Sequence, residues 1–147
     1  MHKARFYILL LFSAILISSC ERKAGDEFQK VANEFTSAWN NHDLQALANL
    51  WTEDGNLITP WAHEYNGKEE IEKHLAKEHS ENMKDSHMIL LVQNVHFFDP
   101  DTAFVDADMT IEGMTVGGEK ASPFHDYSIF VFVKRDGKWK ILIARPY

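Results

Sequence analysis

The hydrophobic period of this chain changes once, near residue 86, and that change sets its fold class. Before it, apolar residues recur at helical spacing. From Phe28 they return at Val31, Phe35, Ala38 and Trp39, one face of a helix that stops near Asn40-Asn41. Asp43 is a good N-cap for a second, shorter helix carrying Leu44, Leu47, Leu50 and Trp51. Thr52-Glu53-Asp54-Gly55 reads as its close, with Gly55 suited to a left-handed C-terminal position. Asn56 to Thr59 is a short extended piece, and Pro60 opens an aromatic loop holding Trp61, His63 and Tyr65. Gly67 precedes a third helix over Lys68 to Glu78, with Ile71 and Leu75 turned inward.

After residue 86 the pattern is that of strands: Ser86 to Phe98, Thr102 to Met114, Phe124 to Val133 and Lys138 to Arg145. Asp99-Pro100-Asp101 is a turn, Thr115 to Pro123 a loop, and Arg135-Asp136-Gly137 a hairpin turn. The order ααβαββββ predicts an α+β domain, with three N-terminal helices packed on one face of a curved antiparallel sheet.

Ahead of the domain stands a different kind of segment. His2, Lys3 and Arg5 precede an apolar run from Phe6 to Ile17, whose 12 residues are too few to span a bilayer. That is the pattern of a signal peptide. It ends in Ile17-Ser18-Ser19-Cys20, which resembles the lipobox of bacterial lipoproteins, and Cys20 is the only cysteine in the chain. The resemblance implies removal of residues 1–19, lipidation of Cys20, a tether over 20–25 and a folded domain over 26–147. It implies a bacterial cell-envelope location, lipid-anchored and facing the periplasm or the exterior. Several acyl chains on one residue anchor stably where one would not.

Composition narrows the rest. A chain of 147 residues that is 45% hydrophobic, with 10 Phe and 4 Trp, has apolar surface for one core and one domain. One cysteine excludes a disulfide scaffold. Without residues 1–19 the chain carries 13 Lys and Arg against 22 Asp and Glu, net −9, which argues against unassisted nucleic-acid binding. On a lipid tether, such a charge favours standing off an anionic surface over lying flat.

The run Phe35-Thr-Ser-Ala-Trp39-Asn-Asn-His-Asp43-Leu, then Leu50-Trp-Thr-Glu-Asp54-Gly, Pro60 and Gly67-Lys-Glu-Glu-Ile71, resembles the nuclear transport factor 2-like superfamily. Within it, the chain is similar to the SnoaL-like and ketosteroid-isomerase-like bacterial branch, as is the ending Asp136-Gly137-Lys138-Trp139-Lys140-Ile141. The resemblance implies a cystatin-like cone, a bent sheet wrapped around helices with a pocket at its open end. Members use that pocket for isomerisation, cyclisation, dehydration or hydrolysis, or for binding without catalysis.

The isomerase pattern is only partly present. Its catalytic Asp falls at Thr59, where a hydroxyl without an adjacent base cannot take a proton from carbon. Its oxyanion Tyr falls at Phe35, which has no donor, and its second acid falls near Asp126. Two of three groups are missing, which favours a non-catalytic binding domain for a small apolar or amphipathic ligand. The alternative is an enzyme of the cyclase, dehydratase or isomerase type, with Asp126 and a histidine (His125 or His63) as acid and base. Phe35, Trp39, Thr59, Trp61, His63 and Tyr65 are the expected ligand-binding residues. Arg145 is the expected partner of a ligand carboxylate or of Asp126.

No metal and no cofactor are expected. His74 and Glu78 have helical i, i+4 spacing, but Glu72, Lys73 and Lys77 around them read as a solvated face. On the third long strand Ile129, Val131 and Val133 alternate with Phe130 and Phe132, so both faces are apolar and both need cover. Helices cover one. With the family's habit of pairing sheets back to back, this predicts a homodimer.

Overall fold

The computed structural model describes residues 25–147. The expected leader, Cys20 and tether residues 21–24 lie outside the described residues. Helix α1 occupies residues 25–40 and buries Phe28, Ala32, Phe35, Ala38 and Trp39. It ends in a Schellman arrangement, with Asp43 N–H donating to Ala38 O at 2.9 Å and His42 N–H to Trp39 O at 3.0 Å. The left-handed position is taken by His42 (φ 55°) instead of the usual glycine. Asp43 then caps α2 (Leu44–Ala48), its carboxylate accepting from Ala46 N–H at 2.9 Å, as the sequence predicts.

The strand β1 (Trp51–Ile58) follows directly, and here the structure corrects the sequence. Trp51 belongs to the strand and not to α2, and Gly55 lies within β1 without a positive φ. Gly55 serves by being small: a Cβ there would meet Trp51 Cε3 at 3.0 Å and Ile71 Cδ1 at 3.4 Å. The strand is strongly bulged: the five-residue step from Trp51 to Asn56 is matched by a two-residue step from Ile141 to Ile143 on its parallel neighbour. A bulge breaks the period-2 pattern, so the sequence reads as a turn. Glu64–Asn66 form β2, hydrogen-bonded to β1, where the sequence suggested loop. Helix α3 spans Lys68–Ser80 and buries Ile71, Leu75 and His79.

The long strands are β3 (His87–Asp99), β4 (Thr102–Glu112), β7 (Phe124–Arg135) and β8 (Lys138–Pro146), with a small hairpin of β5 (Thr115–Val116) and β6 (Glu119–Lys120) inside the expected loop. The main sheet runs β2-β1-β8-β7-β4-β3, antiparallel except for β1 beside β8. Its concave face buries Ala103, Val105, Ala107, Met109 and Ile111 of β4 and Ser128, Phe130 and Phe132 of β7 against the helices. Asp106, Asp108, Thr110 and Glu112 alternate with them on the outer face.

The two ends of the layer differ. At one, Phe28 packs on Phe132 and Trp139 with ring centroids 5.2 and 4.9 Å away, and on Phe97 at 6.0 Å. That end is filled by aromatic rings. The other end, where β4 and β8 finish and β3 and β7 begin, is not.

Candidate functional site

At the unfilled end the helices and sheet diverge around a cavity of about 100 Å³. Helix α1 contributes Phe35 and Trp39, and β1 contributes Trp51 and Leu57. Thr59, Pro60 and Trp61 come from the loop that follows. From the sheet come Met88, Leu90, Met109, Ile111, Phe124, Ser128, Phe130 and Ala144, so the wall is nearly all apolar. An adjoining outer recess of about 380 Å³ shares Trp61, His74, Glu78, Met83 and Met114 with the cavity and adds His63, Tyr65 and Lys77.

The few polar groups are distinctive. Ser128 is buried, and its hydroxyl donates only to the sulfur of Met109, at 3.7 Å, a weak acceptor. The buried indole N–H of Trp51 has no protein partner. Thr59 Oγ1 accepts the His63 amide at 3.2 Å, which leaves its own proton to donate. Trp39, by contrast, is satisfied, donating to Ser86 Oγ at 2.9 Å. Two buried donors at this cavity, on Ser128 and Trp51, thus lack a good protein acceptor.

At the mouth, His74 stacks on Tyr65 with centroids 4.1 Å apart, one helical turn before Glu78. Burial pushes the His74 imidazole below its usual pKa, Glu78 opposes that, and the nearby His63 and Lys77 add to it. That direction favours the neutral imidazole over the charged one. Trp61 is 59% exposed and lies over Phe124, its ring tilted by 25° with centroids 6.4 Å apart.

The structure thus gathers Phe35, Trp39, Thr59 and Trp61 around the cavity and puts His63 and Tyr65 in the recess. It places two expected residues elsewhere. Asp126 is on the cavity side of β7, but the lining comes from Phe124 and Ser128 beside it. Its Oδ1 accepts the Tyr127 amide at 2.8 Å, and its Oδ2 is buried without a partner. Arg145 pairs with Ile129 on the outer face, because Ala144 takes the inward place on β8. There the guanidinium binds the carbonyl oxygens of Asn56 and Ala144 and the side-chain oxygen of Asn56, and not Asp126. His125 also points outward, to Thr110 Oγ1 at 3.0 Å, so a His125–Asp126 dyad does not form.

Two features escaped the sequence. His74 and Glu78 face the cavity mouth and not open solvent. Met83, Met88, Met109 and Met114, every methionine after Met1, line the cavity. Their clustering between residues 83 and 114 is a visible signal, since flexible thioethers make adaptable walls. Among the described residues no group of three or more His, Cys, Asp or Glu could hold a metal ion.

A family model for the SnoaL-like domain matches residues 32–141. The chain belongs to the SnoaL-like domain family. Solved structures agree on the fold of this SnoaL-like domain. A cystatin-like protein from Caulobacter vibrioides superposes with a TM-score of 0.74 at 18% identity, over 82% of this chain and 86% of that one. A ketosteroid isomerase-like protein from Erwinia carotovora gives 0.67 at 21% identity, over 82% and 92%. An NTF-2-like protein of unknown function from Shewanella oneidensis gives 0.69 at 16%, over 82% and 96%. At these identities the likeness concerns fold alone. No curated protein is recognisably similar in sequence.

Proposed function

We propose that this SnoaL-like domain is a membrane-tethered binding protein for a small apolar molecule carrying a hydrogen-bond acceptor. The observation that supports it most is the mismatch inside the cavity. Its apolar wall holds buried donors, on Ser128 and Trp51, that no good protein acceptor satisfies. A ligand carbonyl, ether or phenolic oxygen would satisfy them, and leaving such groups unpaired costs about 1–3 kcal/mol each. The cavity of about 100 Å³ is smaller than the roughly 150 Å³ that holds benzene, so a single-ring ligand would extend from it into the adjoining recess. A longer, amphipathic ligand would extend its polar end into the recess beside His63, His74 and Lys77. The tether is lipidated Cys20, in a bacterial cell envelope.

Trp39, Trp51 and Trp61 all line the cavity, so tryptophan emission reports occupancy directly. Titration with cyclohexanone and phenol should give a saturable emission change, weakened several-fold in Ser128→Ala. No saturable change with any single-ring ketone or phenol contradicts the reading.

The SnoaL-like fold also supports an enzyme of the dehydratase or isomerase type, and one observation favours it: the His74 imidazole beside Glu78 at the mouth. That imidazole, and not Asp126, would be the base. Turnover of a bound ligand that is abolished in His74→Ala, with binding retained, would establish it.

The outer sheet face suits a second copy. Ile89, Leu91 and Tyr127 are 43%, 51% and 43% exposed there, beside half-buried Ile129 and Val131. Burying that face in a homodimer would remove these side chains from water, with Asp106, Asp108 and Thr110 of β4 lying between them at the seam.

A further inference from the structure

The filled end of the domain carries exposed aromatic residues that neither the cavity nor the outer sheet face uses. We infer that this end rests on the lipid bilayer, with Phe98 in the headgroup region, so that the cavity mouth opens away from the membrane into water. The inference builds on the lipid anchor at Cys20, part of the function proposed above, and not on the identity of the ligand.

The tether sets the geometry. From Cys20 to Gly25, where the described chain begins, five residues reach at most about 17 Å even when fully extended. The first turn of α1 therefore stays close to the bilayer surface. Phe28 in that turn packs on Phe97, Phe132 and Trp139, which belong to the end of β3, the end of β7 and the start of β8. The β3–β4 and β7–β8 turns are thus the parts of the fold nearest the anchor.

The chemistry of that end fits a lipid surface. Phe98 is 62% exposed, the unpaired residue of a bulge between Phe97 and Asp99, and so stands at the turn beyond the regular sheet. Phe97 beside it is 41% exposed. Rings left in water at this cost find a favourable place at a headgroup boundary. Arg135 and Lys138 on the neighbouring turn are offset by Asp99, Asp101 and Asp136, so insertion and not net charge drives the contact.

The cavity lies at the opposite end. From Phe132, packed on Phe28, to Phe124 on the cavity wall, β7 runs eight residues, about 26 Å of strand. A ligand would then arrive from the aqueous phase or a soluble donor, not by lateral diffusion out of the bilayer.

Cys20 is the only cysteine, and lipid blocks its thiol, so an introduced cysteine labels cleanly. The test uses the full lipidated protein in vesicles of phosphatidylethanolamine and phosphatidylcholine. Nitroxide labels are attached to Phe98→Cys or to Val116→Cys, the latter in the β5–β6 hairpin by the recess. Both sites are exposed, so folding is not at stake. Power saturation against oxygen, which partitions into lipid, and a nickel chelate, which stays in water, reads depth. The expected result is an oxygen-dominated signal at 98 and a nickel-dominated signal at 116. Nickel dominance at 98, or lipid exposure at 116, overturns the orientation and leaves the anchor standing. Failure of the protein to float with vesicles overturns the anchor and this inference together, and leaves the cavity reading intact.

Discussion

His79 sits under the turn between α1 and α2, 7% exposed, with its Nδ1 2.9 Å from Nδ1 of His42 and its ring edge-on to Trp39. Only one of the two facing nitrogens can carry a proton, so the pair tolerates at most one charge. His79 Nε2 is buried with no partner. Burial pushes its pKa down to about 4, the His42 imidazole adds to that, and Glu78 opposes it. An unfolded His79 would bind protons near pH 6.5, so between 6.5 and 4 the unfolded chain holds more protons than the folded one. Stability is then fully present above pH 6.5 and is lost as pH falls. Lowering pH from 7.5 to 5 should cost about 2 kcal/mol from this group. In His79→Phe the pH dependence of urea unfolding should flatten over that interval, while an unchanged slope would assign it to other groups.

At the scale of elements, the turn after β4 depends on a glycine. Gly113 has φ 75°, and a Cβ there would stand 2.4 Å from the carbonyl oxygen of Asp85. Gly113→Ala should lose at least about 2 kcal/mol in denaturant unfolding, and because Met114 beside it lines the cavity, ligand affinity should fall too. Elements with one clean period were legible in the sequence: α1, α3 and the four long strands lie within a few residues of expectation. Asp43 was legible because capping chemistry is local. What escaped was set by tertiary contact. The bulge in β1 hides a strand between Trp51 and Ile58, and β2 exists only because Asn56 to Ile58 pair with it. Among candidate site residues, Phe35 and Trp39 follow from helix periodicity. Arg145 was misjudged because a β-bulge around Leu142 resets which residues of β8 face inward. His74 and Glu78 look like any charged helix face until the Pro60–Tyr65 loop is folded over them.

For the whole molecule, the two ends of the domain and its outer face differ: one end is filled by aromatic rings, the other holds the cavity, and the outer face mixes apolar residues of β3 and β7 with the acidic residues of β4. Ile129→Glu with Val131→Glu should convert a dimer to a monomer in sedimentation equilibrium, with the cavity's tryptophan response preserved, because both side chains lie on the outer face. A monomeric parent would remove that role from the face. The proposed binding role depends on the cavity holding a small molecule, and native mass spectrometry of protein purified gently from its own host asks that question without an assumed ligand. The expected spectrum shows a retained adduct with the mass of a small, oxygen-bearing compound, diminished in Ser128→Ala. The mass of the protein alone, with no small-molecule adduct under gentle purification and none regained on adding single-ring ketones or phenols, would mean that the cavity is not a binding site.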